Sequence, residues 1–145
     1  MPTSMVIKYL HRITTVILAV VLVIVGTVWY LDSRPPDDEI ISKRQLSEDM
    51  WLYITKYKNA GATDSNVYRY YLNGKIENPM TVIQRSAPVL TADVDTAKVT
   101  AIGDHVMINV TGKVYNFTNT ALYYAGSTPV MPRVDLNATA VNPWK

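Results

Sequence analysis

Two histidines are the residues of this chain best suited to proton transfer or metal binding, and they lie far apart in the sequence. His11 precedes an apolar stretch, so His105 is the single histidine of the remaining chain. A multi-histidine metal site and a Ser-His-Asp set both need several groups converging on one point. The triplet Gly103-Asp104-His105 could hold an Asp-His dyad at the head of a strand, but a hairpin turn with a solvated histidine is its ordinary interpretation.

The acidic residues form two close pairs that could be tested for acid–base or cation chemistry. Glu48 and Asp49 are neighbours, and neighbours on a helix point about 100° apart, so they could not act together as acid and base. Asp93 and Asp95 share one side of an extended segment, but calcium needs a denser set of oxygen ligands. Cysteine is absent and no phosphate-binding or dinucleotide motif occurs. The sequence therefore predicts a protein that is not an enzyme and uses no metal ion or cofactor.

A run of aromatic and basic residues is the best candidate for a protein interface. Tyr68-Arg69-Tyr70-Tyr71 combines residue types that are enriched at interface hot spots. On a strand, Tyr68 and Tyr70 point to one face while Arg69 and Tyr71 point to the other. We expect one face to belong to the core and the other either to contact a partner or to be plainly solvated. Trp144, near the carboxyl terminus, is a second candidate contact.

Three Asn-x-Thr triplets begin at Asn109, Asn116 and Asn137. Each is an acceptor for N-glycosylation if the chain is exported and the host carries the enzyme. A strand-rich segment with many Asn and Thr residues also produces such triplets by chance. Modification at these three positions is therefore kept as an alternative to unmodified strand residues.

One apolar stretch near the amino terminus has the length of a membrane span. Residues 13–31 contain no charged side chain, and a helix of that length extends over roughly 28 Å, which matches the hydrocarbon core of a bilayer. Trp29 and Tyr30 have the position of an interfacial aromatic belt, and Lys8 and Arg12 flank the other end. Membrane lipid is thus a predicted partner.

The basic residues before the span and the acidic residues after it predict an amino terminus in the cytoplasm. The stretch is long for a signal-peptide core and ends without a small-x-small cleavage site, so we expect an uncleaved anchor rather than a signal peptide. The predicted organisation is a cytoplasmic tail at residues 1–12, a transmembrane helix at 13–31, a Pro-rich spacer at 32–37 and a periplasmic or extracellular domain at 38–145. The chain is therefore predicted to pass once through the cell (inner) membrane.

The exported part is predicted to begin with an amphipathic helix. Between Asp38 and Asn59, apolar residues recur at helical spacing, acidic residues stand at the start, and Asn59-Ala60-Gly61 supplies a stop.

From Val67 onward the pattern has the period of two that is typical of antiparallel strands. Asn73-Gly74 is a strong hairpin signal, and Pro129 and Pro132 restrict the last strand to a sheet edge. Expected strands are Tyr68 to Leu72, Met80 to Arg85, Lys98 to Ile102 and His105 to Val110. Lys113 to Phe117 either extends the last of these or starts another, and Leu122 to Ala125 and Val130 to Leu136 are candidates for two more. The predicted fold class is α+β, in which one transmembrane helix precedes an amphipathic helix packed on an antiparallel β meander of five or six strands.

Charge and architecture together limit the function. The part after residue 31 carries 12 basic and 12 acidic residues, so it lacks the basic surface typical of nucleic-acid binding. We expect other protein subunits as partners, in a homo- or hetero-oligomer. The plan resembles that of the small inner-membrane components of type IV secretion machines, which implies a non-catalytic structural subunit of an envelope-spanning assembly of the secretion or conjugation type.

Two alternatives remain open from the sequence. The layout is also similar to that of pilin-like proteins, which implies a subunit of a filament or of a virion membrane or coat. The double proline after the span and the absence of a processing glycine before it count against a pilin. A membrane-tethered module that binds a small ligand between helix and sheet is the other alternative.

Overall fold

A computed structural model describes residues 2–33, 38–59 and 65–140 of the 145-residue chain. The chain divides into two units, residues 1–35 and 36–145, and each is described by itself. Trp144 and most of the Pro-rich spacer lie outside the described residues.

The first unit is one helix, α1 (Pro2–Asp32). Within Thr3–Asp32, an exposed window of 18 residues has a mean hydropathy of 2.4, so this helix is long and apolar enough to cross a membrane. The hydroxyls of Thr14, Thr15 and Thr27 donate to carbonyls four residues earlier at 2.7–2.9 Å. These bonds satisfy the polar atoms of the span within the helix itself, as an apolar surrounding requires. The helix also includes residues 2–12, which the sequence assigned to a tail.

Within residues 38–59 and 65–140, the second unit contains ten strands and one short helix, in three sheets. In chain order these elements are β1 (Asp38–Ser47), β2 (Met50–Tyr57), β3 (Tyr68–Asn73), α2 (Pro79–Ile83), β4 (Leu90–Ala92), β5 (Lys98–Ile102), β6 (His105–Thr111), β7 (Val114–Phe117), β8 (Tyr123–Ala125), β9 (Thr128–Val130) and β10 (Arg133–Thr139). The α+β class is confirmed, since a long apolar helix precedes an antiparallel sheet of five strands.

The predicted amphipathic helix at Asp38–Asn59 is wrong, because this segment is the hairpin β1–β2 with Glu48-Asp49 at its turn. The β2 sequence is rich in aromatic and β-branched residues, which favour strands. Leu52 and Tyr53 are both buried, although they point to opposite faces of the strand. A strand buried on both faces carries apolar residues at nearly every position, and a subset of them falls at helical spacing by chance.

The meander prediction holds for part of the domain. The large sheet has the order β1-β2-β3-β4-β7, in which the first four strands are antiparallel sequence neighbours. The small sheet has the order β10-β6-β5, with β10 at the edge, as the two prolines predicted. However, β10 runs parallel to β6, which the all-antiparallel prediction did not include.

Two other local predictions are wrong. Asn73-Gly74 does not close a hairpin, because the chain continues from β3 to α2 and β3 pairs with β2 and β4. The Asn73 side chain accepts a hydrogen bond from the Gly74 N–H at 2.8 Å. The strand expected at Met80 to Arg85 is instead largely α2, whose first turn contains Pro79, a residue well suited to a helix start. The strands at Lys98–Ile102 and from His105 are confirmed, with the Gly103-Asp104 turn between them.

The two larger sheets pack face to face around the main core. This core takes Leu52, Ile54, Tyr70 and Leu72 from the large sheet and Val99, Val106, Ile108 and Val134 from the small sheet. A second, smaller cluster of Tyr53, Tyr71 and Ile83 packs α2 against the opposite face of the large sheet. The large sheet is therefore covered on both faces near β2 and β3.

Candidate interaction surfaces

The segment Tyr68-Arg69-Tyr70-Tyr71 lies on β3 in the middle of the large sheet. Its predicted alternation is confirmed, because Tyr68 and Tyr70 face the main core while Tyr71 belongs to the second cluster. All three tyrosines are buried, however, so the expected solvent-facing surface is absent. The reason is that α2 covers the face that would have contacted a partner.

Arg69 is the partly exposed member of this segment, and it forms an ion pair within the domain. Its Nη1 donates to both carboxylate oxygens of Asp38, at 2.5 and 2.7 Å, and Asp38 is nearly inaccessible. The hydroxyl of Thr55 donates to Asp38 Oδ2 at 2.7 Å. These contacts join β1, β2 and β3, and they hold Asp38, the first described residue of the domain. Burial and the nearby Asp38 carboxylate raise the pKa of Tyr71, which keeps its phenol neutral.

Buried tyrosine hydroxyls form hydrogen bonds to the backbone of loops in the domain. Tyr70 donates to the carbonyl of Val94 at 2.6 Å and accepts from the N–H of Ala97, while burial raises its pKa to about 12. Tyr53 donates to the carbonyl of Gly74 at 2.9 Å. Tyr123 donates to the carbonyl of Asp49 at 3.3 Å, and burial likewise raises its pKa to about 12. Because each phenol is committed to backbone atoms, these tyrosines stabilise loops rather than offer a reactive group.

His105 begins β6, and its carboxylate neighbour is not the adjacent Asp104. Its Nε2 lies 2.5 Å from Oδ2 of Asp135 on β10, and Arg133 lies 3.7 Å from the same carboxylate. Both side chains of the His105–Asp135 pair are a little under half exposed. These two residues are 30 positions apart in the sequence, and the parallel pairing of β6 and β10 brings them into contact. No local sequence pattern indicates this contact.

The other acidic residues considered for chemistry have local roles. Glu48 and Asp49 are exposed at the β1–β2 turn rather than on a helix. Asp93 accepts a hydrogen bond from the Lys113 N–H at 2.7 Å. Within residues 2–33, 38–59 and 65–140, no group of three potential metal ligands converges.

The three Asn-x-Thr acceptors lie on strands. Asn109 on β6 and Asn137 on β10 are direct partners in the parallel ladder, and Asn137 Nδ2 donates to Asn109 Oδ1 at 3.1 Å. Asn116 lies on β7 and is exposed. Their modification remains a prediction.

The membrane-interface candidates all lie on α1. Lys8 and Arg12 occupy its amino-terminal third, Trp29 and Tyr30 its last turns, and all four are exposed. The polar ends and the apolar middle thus have the order expected of a membrane span.

A groove on the second unit combines a concave surface with exposed apolar side chains. It has a volume of about 390 Å³ and includes Leu122 and Met131, which are 61% and 66% exposed. We call it the Leu122–Met131 groove; its other lining residues are Leu72, Arg85, Ser86, Ala87, Thr120 and Ala121. A second depression shares Thr120 and Met131 and adds Arg133. Neither lining contains an acidic residue. Large apolar side chains exposed beside a concave surface are typical of protein contact sites.

Comparisons with models of protein families, with curated proteins and with solved structures found no match to this chain.

Proposed function

We propose that this chain is a non-catalytic, membrane-anchored structural or scaffold subunit of an envelope-spanning assembly of the secretion or conjugation type. Its amino terminus would lie in the cytoplasm, α1 would cross the inner membrane, and the β domain would be periplasmic or extracellular. The observation that carries the proposal is the exposed, apolar α1 on a chain whose folded domain leaves Leu122 and Met131 uncovered. The helix fixes the chain to lipid, and the groove is available to another subunit.

The charge distribution supports the orientation. Lys8 and Arg12 precede the apolar stretch, and every acidic residue of the chain follows Leu31. Basic residues are retained on the cytoplasmic side of a span, which favours export of the carboxyl-terminal part.

The use of polar side chains supports a structural role. The buried charge of Asp38 is neutralised by Arg69, and the phenol of Tyr70 is bonded to backbone. A catalytic site needs polar groups that are free to meet a substrate in a concave pocket. The Leu122–Met131 groove instead offers apolar contact area with Arg85 in its lining, which suits a protein segment.

The proposal is tested by changing the groove without changing the core. Leu122→Glu places a charge in the groove, and Ile102→Glu is a matched control because Ile102 is exposed apolar surface outside the groove lining. We expect the wild type and Ile102→Glu to sediment in a large detergent-solubilised complex, and Leu122→Glu to sediment as a smaller species. All three proteins should unfold at similar temperatures. A wild-type chain of monomer size, or one found in the soluble fraction, would contradict the proposal.

A filament or virion coat subunit is the second candidate function. It is favoured by the uninterrupted 31 residues of α1, because a long apolar helix can pack in the core of a filament as well as in lipid. Electron microscopy of detergent-extracted particles separates the two candidates. Closed particles support the envelope assembly, and filaments support the alternative.

A further inference from the structure

The outer edge of β10 is only partly covered. At its start, the N–H of Val134 donates to the carbonyl of Asn119 at 2.8 Å, and Arg133 bridges Thr120. The carbonyl of Thr139 accepts from Gly112, on the side of β6. Backbone groups alternate sides along a strand, so those of Leu136 and Ala138 point away from β6. In the part of the chain that the structure describes, they have no backbone partner.

This edge lacks the features that normally prevent strand pairing. Residues 136–140 are Leu-Asn-Ala-Thr-Ala, without charge or proline, and the ladder to β6 runs without a bulge. Soluble domains usually protect an open edge with Lys, Pro or a bulge, because bare N–H and C=O groups recruit another strand.

The two packed sheets are also unequal in size, because the large sheet has five strands and the small sheet has three. Leu136 on β10 and Val114 and Phe117 on β7 pack against the main core but are only half-buried. A further strand beside β10 would widen the smaller sheet and remove more apolar surface from water, which stabilises the packed form.

We propose that a second copy of this chain supplies that strand, through antiparallel pairing of the two β10 edges about Asn137. In this register Leu136 of each copy pairs with Ala138 of the other, so both outward-pointing residues use their N–H and C=O groups. The two small sheets become one continuous sheet of six strands.

A second copy fits because the edge is complementary to itself. Antiparallel pairing about a two-fold axis places Asp135 of one copy opposite Thr139 of the other, so no like charges face each other. The paired stretch is limited to residues 135–139, because the Val134 N–H is already bonded to Asn119; pairing about Leu136 would require that N–H itself. The inference does not depend on other subunits, and it stands or falls separately from the proposed assembly.

The absence of cysteine makes the test direct, since one introduced thiol is unique in the chain. Asn137→Cys would sit opposite its own copy in a non-hydrogen-bonded pair, with Cα atoms about 4.5 Å apart, close enough for a disulfide. Asn109→Cys is the matched control: it has the same residue type and face, one strand further in. Its two copies would be about 14 Å apart, too far for a disulfide.

The full chain in isolated membranes is oxidised and examined by non-reducing electrophoresis. We expect a disulfide dimer for Asn137→Cys and monomer for Asn109→Cys. Adding Ala138→Pro to Asn137→Cys should abolish the dimer, because it removes the outward N–H, whereas Ala138→Val should preserve it. Absence of an Asn137→Cys dimer, equal dimer from Asn109→Cys, or a dimer that persists with Ala138→Pro would each overturn the proposal. A dimer formed by a chain that co-purifies with no other subunit supports the pairing and contradicts the envelope assembly.

Discussion

Replacing Arg69 by methionine tests the role assigned to the buried ion pair. The side chain of Asp38 is 3% exposed, and among the described residues two hydrogen bonds to its carboxylate come from Arg69 and one from Thr55. Arg69→Met would leave a buried carboxylate whose remaining side-chain donor within residues 38–59 and 65–140 is Thr55. Breaking a buried pair from one side costs about 3–5 kcal/mol, and we take the lower end because the Arg69 side chain is 21% exposed.

A loss of about 3 kcal/mol is a large fraction of the stability of a small domain. With a urea dependence of roughly 1.5 kcal/mol per molar, the unfolding midpoint should fall by about 2 M. The assay is urea unfolding of the full chain in mild detergent, followed by the protease resistance of the β domain. Arg133→Met is the matched control, because Arg133 is 81% exposed and makes a surface pair whose loss should cost less than about 1 kcal/mol.

A double mutant separates the pair from its surroundings. Asp38→Asn removes the charge but keeps an acceptor for Thr55, so Arg69→Met should cost less in that background, by at least about 1 kcal/mol. The reasoning is refuted if Arg69→Met shifts the midpoint no more than Arg133→Met, or if the costs of the two changes at Asp38 and Arg69 simply add.

Three further predictions concern a loop, the core and pH. Gly112→Ala should lower the free energy of unfolding by more than about 2 kcal/mol, because Gly112 has φ of +151° and an added Cβ would lie 2.6 Å from an Asp93 carboxylate oxygen. The control Gly126→Ala, in open space at φ of +66°, should lower it by about 1 kcal/mol in the same urea assay. Ile108→Ala should cost about 3 kcal/mol or more by removing a fully buried side chain, whereas Met107→Ala on the exposed face should cost less than half as much, and equal costs would contradict the assigned faces. The folded state favours the neutral phenol of Tyr70, whose pKa of about 12 exceeds the ordinary value near 10, so its contribution is fully present below pH 10 and is lost as pH rises to 12. Urea unfolding across that range should show Tyr70→Phe less stable than wild type at pH 8 and losing less stability above pH 10; parallel curves would contradict the assignment.

Local patterns predicted those elements whose two faces differ. On β6, His105 and Met107 are exposed while Val106 and Ile108 are buried, so the period of two is visible in the sequence. The apolar stretch of α1 is also visible in the sequence, because a helix surrounded by lipid carries apolar side chains on all sides.

The missed elements are those in which tertiary packing removes the contrast between faces. β2 is buried on both sides, so its apolar residues fit a helical spacing as well as a strand. The same double coverage buries Tyr71, which the alternation rule placed on a free face.

The contacts between charged groups could not be predicted from the sequence, for a different reason. Asp38 and Arg69 are 31 positions apart, and His105 and Asp135 are 30 apart. Which strands become neighbours decides these contacts, and a single sequence carries no local signal for the parallel β6–β10 pair. The exposure of Leu122 and Met131 likewise depends on the complete fold.

Whether α1 crosses the membrane with the β domain exported is tested most directly by thiol labelling. Thr100→Cys places a unique thiol on the exposed face of β5, and Thr3→Cys places one at the start of α1. A membrane-impermeant maleimide is applied to intact spheroplasts and, separately, to permeabilised ones. We predict labelling of Thr100→Cys in intact spheroplasts and labelling of Thr3→Cys after permeabilisation alone. Labelling of Thr3→Cys but not of Thr100→Cys in intact spheroplasts would contradict the orientation, and recovery of both proteins in the soluble fraction would contradict the anchor itself.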